Sequence, residues 1–109
     1  MYLWKCNKII DFSSLSKLVQ LEELNLSRTN IFDISFIENN KNIKKLNLDK
    51  CKKITNFSFI SMLKQLEELN LGYTNIFDIS FLGNHQKIKI LYLYYCNLIS
   101  DFSFISKLE

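Results

Sequence analysis

The segment NIFDISFI, at residues 30–37, returns almost unchanged as NIFDISFL at residues 75–82. The interval is 45 residues, and the same interval separates two copies of LEELNL that begin at Leu21 and Leu66. Self-similarity at a fixed interval is typical of solenoids, in which each copy packs against its neighbours along the stack. The chain of 109 residues is therefore predicted to be a stack of short, similar units.

Each long interval divides into two units, because the frame Leu-x-x-Leu-x-Leu recurs about halfway along it. The frames begin at Leu21, Ile43, Leu66 and Ile88, so the units alternate between 22 and 23 residues. Residues 1–20 fit the later part of an earlier frame. We predict one domain over residues 1–109 without clear terminal caps, divided into a partial repeat at 1–20 and repeats at 21–42, 43–65, 66–87 and 88–109.

Each frame predicts one short strand. Leu24 and Leu26 alternate with polar neighbours, which is the period of a half-buried strand with the leucines pointing inward. A unit of this length cannot bury its apolar face alone, so neighbouring units should stack their strands in parallel, about 4.8 Å apart. Phe57, Ile60 and Leu63 follow at intervals of three, which suits short 3₁₀ turns packed on the back of the sheet.

The unit LEELNLSRTNIFDISFIENNKN resembles a leucine-rich repeat of the short class found in protein phosphatase regulatory subunits and bacterial internalins. The positions of that class are filled in this unit by Leu21, Leu24, Leu26, Ile31, Ile34 and Ile37, with Thr29 where the family has Asn. The resemblance covers essentially the whole chain. It implies an α/β leucine-rich-repeat solenoid, with about five short parallel strands in a curved concave sheet and 3₁₀ or irregular segments on the convex side.

The longer units carry cysteine where the family has Asn, at Cys6, Cys51 and Cys96. Equivalent positions two units apart should be separated by roughly 10 Å, which exceeds the Cα distance of about 7 Å that a disulfide can span. No Cys-x-x-Cys pair accompanies them, so the spacing does not favour zinc either. We expect three buried free thiols at the turns that follow the strands.

The sequence contains no recognisable catalytic motif. His85 is the sole histidine, and no Gly-x-Ser-x-Gly, His-Glu-x-x-His or phosphate-binding glycine loop accompanies it. We interpret His85 as a surface residue. The prediction is a protein that is not an enzyme, with no catalytic residues, no cofactor and no metal site.

Charged residues follow the repeat. The formal net charge is +3, and the stacked outward positions read Glu22, Lys44, Glu67, Lys89 and, beside them, Glu23, Lys45, Glu68, Ile90. Opposite charges on neighbouring strands stabilise a sheet by about 0.2–1 kcal/mol for each exposed pair. Two interpretations stay open, namely in-register pairing that fixes the stack and a charged docking surface.

The candidate contact surface lies at the outward positions of the strands. Tyrosine and tryptophan there supply large rigid contact area with a polar tip, which is typical of binding hot spots. Tyr92, Tyr94 and Tyr95 fall on or just after the last predicted strand, and with Tyr73 they form a cluster that Gly72 should open. The predicted partner-binding residues are Trp4, Arg28, Asp49, Tyr73, Tyr92, Tyr94 and Tyr95.

Three functional hypotheses follow. The first is a non-enzymatic module that binds an unidentified protein partner through its concave face. The alternative is a structural, self-associating unit that pairs through an uncapped end of the stack. A minor alternative is a basic nucleic-acid-binding surface, for which Lys50, Lys52 and Lys53 form the only local cluster and which we do not expect.

Composition predicts where the protein works. With 48% hydrophobic and 23% charged residues, the chain has the balance of a soluble protein with a dense core. Lys5, Lys8 and Asp11 interrupt the N-terminal segment, so it resembles neither a signal peptide nor a membrane span. Unpaired buried cysteines fit a reducing compartment, and we expect an intracellular, cytoplasmic protein.

Overall fold

In the part of the chain that the structure describes, four short parallel strands form one sheet in the order β1-β2-β3-β4. The computed structural model describes residues 20–80 and 87–99. Within them the strands are β1 (Glu23–Asn25), β2 (Lys45–Asn47), β3 (Glu68–Asn70) and β4 (Ile90–Tyr92), and two 3₁₀ helices are η1 (Ser35–Asn39) and η2 (Ser58–Met62). The predicted parallel solenoid is thus confirmed. The fifth strand that the sequence predicts near residue 1 lies outside the described residues.

The register of the sheet equals the spacing of the frames. Leu24 pairs with Leu46, Leu46 with Leu69, and Leu69 with Leu91. Because equivalent leucines stack across the strands, every unit contributes the same positions to one continuous core. Within that core Leu26, Leu48 and Leu71 are fully buried, as are Ile43 and Leu66, which open two of the four frames.

The 3₁₀ helices close the back of the stack. Phe36 and Ile37 of η1 and Phe59 and Ile60 of η2 are buried against the core. Asp33 precedes η1, and its Oδ1 accepts a hydrogen bond from the backbone N–H of Ser35 at 3.0 Å. This bond forms an Asx turn, in which the side chain satisfies a backbone donor at the start of the helix. Within the part of the chain that the structure describes, no helix is long and apolar enough to cross a membrane.

A tight turn follows every strand. Its third residue has a positive φ in all four units, namely Arg28 at 60°, Lys50 at 62°, Tyr73 at 59° and Tyr95 at 57°. The turn is closed by a backbone bond such as that from Thr29 N–H to the carbonyl of Leu26, at 3.3 Å. A side chain at positive φ is unfavourable by about 1–2 kcal/mol, so the neighbouring units have to hold the turn in place. They do so through backbone bonds, for example from Arg28 N–H to the carbonyl of Asp49 at 2.8 Å.

Candidate binding surface

The cysteines of the described units belong to the core and not to a reactive site. Cys51 and Cys96 are buried free thiols at the turns where the sequence places them. Burial raises the pKa of the Cys51 thiol, so Cys51 stays protonated and unreactive at neutral pH. Over residues 20–80 and 87–99, no three histidine, cysteine or acidic side chains converge as metal ligands would. Cys6 and His85 lie outside these residues.

Asparagines occupy the last position of the first three strands. The side-chain oxygens of Asn25, Asn47 and Asn70 each accept the backbone N–H of the residue two places on, at 2.9 Å. These bonds hold the start of each turn, so the polar middle of the sheet face has a structural role. In β4 the equivalent residue is Tyr92, and the character of the face changes from amide to aromatic.

Four tyrosines at this end of the sheet form one group, which we call the aromatic cluster: Tyr73, Tyr92, Tyr94 and Tyr95. Tyr73 and Tyr95 are stacked, with ring centroids 4.6 Å apart and planes inclined by 19°. Tyr94 meets the rings of Tyr73 and Tyr92 edge to face, at 5.6 and 6.2 Å. The exposed fractions of Tyr92, Tyr94 and Tyr95 are 42%, 42% and 64%. The structure therefore brings together the tyrosines that the sequence grouped.

Gly72 has a different part in the cluster from the one expected. It does not open the surface, because the ring of Tyr94 lies across it and buries it. A Cβ at Gly72 would lie 2.5 Å from Cε2 of Tyr94 and 2.9 Å from Oδ1 of Asp49. Asn70 fixes the same ring, since its Nδ2 donates to the Tyr94 hydroxyl at 3.3 Å. Ser27, which occupies the equivalent place after β1, is likewise only 8% exposed.

Of the other predicted contact residues in the described part of the chain, Asp49 borders the aromatic cluster and Arg28 does not. Asp49 lies beside it, half-buried, and its Oδ1 is buried without a hydrogen-bond partner. The pKa of Tyr73 is raised above its usual value, mainly by burial and then by the neighbouring Tyr95 and Asp49. Lys50 lies against the same ring, with Nζ 5.0 Å from its centroid. Arg28 is exposed in the first of the four turns, away from the cluster.

Charge pairing between strands is present at the other end of the sheet. Lys44 Nζ lies 3.3 Å from Glu22 Oε1, and Lys45 Nζ lies 3.6 Å from Glu23 Oε1. These pairs join β1 to β2, as the alternation predicts. Their side chains are about half exposed, so each contributes at most about 1 kcal/mol.

A shallow depression of about 170 Å³ runs across the sheet face. It is smaller than the roughly 300–1,000 Å³ of a site for a drug-sized ligand. Its lining consists of Glu23, Leu24, Asn25, Lys45, Leu46, Asn47, Glu68, Asn70 and Tyr92. The sequence placed Glu68 in the charge alternation, but neither Glu68 nor Asn70 was among the predicted partner-binding residues. The signal for Glu68 was available, because the alternation of charges stops at Ile90 beside it.

Trp4 lies outside the described residues, and its place in the contact surface stays a prediction.

Comparison with known proteins gives a consistent result. The family described as Leucine Rich repeats (2 copies) matches residues 64–107. An internalin (inlF) from Listeria monocytogenes is 35% identical with a TM-score of 0.82, over 92% of this chain and 29% of its own. Internalin C2 (inlC2) from the same species is 27% identical with a TM-score of 0.78, over 93% of this chain and 44% of its own.

The functional domain of InlJ, also from Listeria monocytogenes and described as including a cysteine ladder, is 20% identical with a TM-score of 0.64. That likeness concerns the fold alone, and it extends over 93% of this chain and 26% of the InlJ chain. The present chain therefore spans less than half the length of each of these structures. No curated protein is significantly similar to it.

Proposed function

The chain is a leucine-rich-repeat protein, and from this premise we propose that it is a non-enzymatic module that binds a protein partner through the concave face of its sheet. Solenoids of this kind typically use the curved face as an extended binding surface. The observation that carries the proposal is the aromatic cluster, in which three half-exposed tyrosines lie together at one end of that face. Tyrosines in such groups provide much of the binding energy of protein interfaces.

Two further features support binding of a macromolecule on the sheet face. The depression on that face has a volume of about 170 Å³, too small to enclose a substrate or cofactor, whereas larger clefts of about 440 and 430 Å³ lie beside η2 and beside the turns. The aromatic cluster is also pre-organised, since Tyr94 is held by Asn70 and by the neighbouring rings. Side chains that are already fixed lose less conformational entropy on binding.

The proposal is tested by capturing partners from an extract with three immobilised proteins. These are the native chain, a Tyr92→Ser/Tyr94→Ser variant, and a control Phe32→Ser/Phe77→Ser variant. Phe32 and Phe77 are 66% and 68% exposed, so the control removes at least as much exposed aromatic surface from outside the cluster. We expect one protein to be retained by the native chain and the control and lost by the tyrosine variant.

Circular dichroism and thermal melting establish that all three proteins are folded before capture. Retention of the same partner by the tyrosine variant would contradict the proposal. Self-association, the alternative drawn from the sequence, is separated by light scattering on the same samples. A native chain that is dimeric, with a monomeric tyrosine variant, would favour that alternative instead.

A further inference from the structure

One carboxylate on the concave face, that of Glu68, lies where the charge alternation of the sheet ends. In the register, Glu68 stands between Lys45 of β2 and Ile90 of β4. Lys45 makes its ion pair with Glu23 on the opposite side, and Ile90 replaces the lysine that the alternation would supply. Among the described residues, Glu68 has no cationic side chain within ion-pair distance.

The surroundings of Glu68 suit a flat cation. Glu68 and Tyr92 both line the depression, so a carboxylate and an aromatic ring border the same small volume. Tyr92 is half exposed and its ring is fixed edge to face against Tyr94. Asn70 also lines the depression and pairs with Tyr92 in the register, and its amide oxygen, which accepts Gly72 N–H, keeps a second lone pair for another donor.

We propose that the depression receives an arginine side chain of the partner protein, with its guanidinium paired to Glu68 and stacked on Tyr92. Arginine fits better than lysine, because its planar fork can bind a carboxylate through two hydrogen bonds while its face lies on a ring. The aromatic ring adds a cation–π attraction. The site therefore assigns a chemistry to the partner, and in this respect it rests on the proposed function.

The net charge of the chain does not favour the binding of a cation in general. At +3 the molecule as a whole repels cations, so general electrostatic attraction cannot account for an arginine bound at this place. Binding would have to come from Glu68 and the groups around it. A neighbouring carboxylate provides the matched control, because Glu67 carries the same charge in the adjacent position and does not line the depression.

The test is a titration of the folded chain with N-acetyl-arginine-N-methylamide, followed by ¹⁵N–¹H NMR. We expect saturable shifts centred on Glu68, Asn70 and Tyr92, weaker binding of the lysine analogue and none of the neutral citrulline analogue. Glu68→Gln should weaken binding about tenfold, the equivalent of one charged hydrogen bond. Glu67→Gln should leave the affinity within about twofold of native, which on the same scale is under about 0.5 kcal/mol.

Equal weakening by both glutamine variants, equal binding of citrulline, or no saturable shift at tens of millimolar would overturn the inference. Each of these outcomes can be separated from failure of the proposed function. Capture of a partner that depends on Tyr92 and Tyr94, together with no arginine binding, leaves the module standing and removes the arginine site. If arginine binds at Glu68 but the Tyr92→Ser/Tyr94→Ser variant captures the same partner as the native chain, the proposed function is contradicted and the arginine site stands.

Discussion

Thr29 and Cys51 lie in neighbouring repeats and converge on one carbonyl oxygen, that of Leu26. The Thr29 hydroxyl donates to it at 2.8 Å and the Cys51 thiol donates at 3.0 Å. The same arrangement recurs in the next pair of repeats, where Thr74 and Cys96 share the carbonyl of Leu71, at 2.7 and 3.0 Å. A buried thiol thus ties each of these longer units to the shorter unit before it. The alternation of threonine and cysteine in the sequence therefore places two donors on one buried carbonyl.

This burial predicts the reactivity of the thiols. In a Cys6→Ser background, Cys51 and Cys96 should react with a thiol reagent far more slowly in the native chain than in denaturant, because both are buried and the raised pKa keeps the Cys51 thiol protonated. The rate of reaction is followed by absorbance across a range of urea concentrations. We expect it to rise together with the unfolded fraction, and rapid labelling of the native chain would contradict the burial.

A second prediction concerns Gly72, whose missing side chain leaves room for Tyr94. In Gly72→Ala the new Cβ would collide with the ring, which is half exposed and can turn outward. The free energy of unfolding should therefore fall by less than about 1 kcal/mol, while Tyr94 loses its contacts with Tyr73 and Asn70. NMR contacts between the two rings measure the displacement. Partner affinity should fall as it does in Tyr94→Ser.

Ser27→Ala is the control for this prediction, because Ser27 occupies the equivalent place after β1, where no tyrosine lies. It should leave the ring contacts and the affinity unchanged. Preserved contacts between Tyr94 and Tyr73 in Gly72→Ala would show that the glycine does not govern the cluster.

The contrast between these two positions shows what the sequence could predict. Leu24 and Leu26 point inward because a strand alternates its side chains, and this local rule gives the strands, their register and the core. The exposure of Gly72 depends instead on a residue one strand away, whose ring happens to cross it. A single-strand pattern does not contain that information, so the glycine was wrongly expected to open the surface.

The candidate site, like the fold, could be predicted from the sequence only in part. The tyrosines could be grouped from the sequence because they occupy equivalent places in adjacent units, as Tyr73 and Tyr95 do. The depression could not be predicted from the sequence, since its shape depends on which side chains pair. Lys45 has a glutamate beside it on each neighbouring strand, Glu23 on β1 and Glu68 on β3. It forms its ion pair with Glu23 and not with Glu68. The partner, the contact residues and the cytoplasmic localisation stay predictions.

A third prediction concerns the turn at Lys50, which has a φ of 62°. Lys50→Val places a β-branched residue in the left-handed region, whereas Lys50→Asn introduces a residue that tolerates it. Both variants lose the contact of the ammonium group with Tyr73, so their difference isolates the backbone. We expect Lys50→Val to be less stable than Lys50→Asn by about 1–2 kcal/mol in urea denaturation. Equal stabilities would mean that the turn relaxes at no cost.

The last prediction concerns the stability of the protein in acid. The backbone N–H groups of Ser35 and Ser80 hydrogen-bond the carboxylates of Asp33 and Asp78, at 3.0 and 2.9 Å, and these bonds lower the pKa of both aspartates. A pKa that is lower in the folded state adds stability above the unfolded value of about 3.9, and that stability is lost as the pH falls through the folded value. The native chain should therefore lose stability below about pH 4.

Asn56 provides the control within the same fold. Its amide oxygen accepts Ser58 N–H at 3.0 Å in an Asx turn at the start of η2, as Asp33 does at the start of η1, but an amide does not titrate. The Asp33→Asn/Asp78→Asn variant should keep both bonds at neutral pH and lose less stability than the native chain between pH values of about 5 and 3. Urea midpoints measured across that range decide the matter. Identical pH profiles for the two proteins would show that the hydrogen bonds of Asp33 and Asp78 carry none of the acid sensitivity.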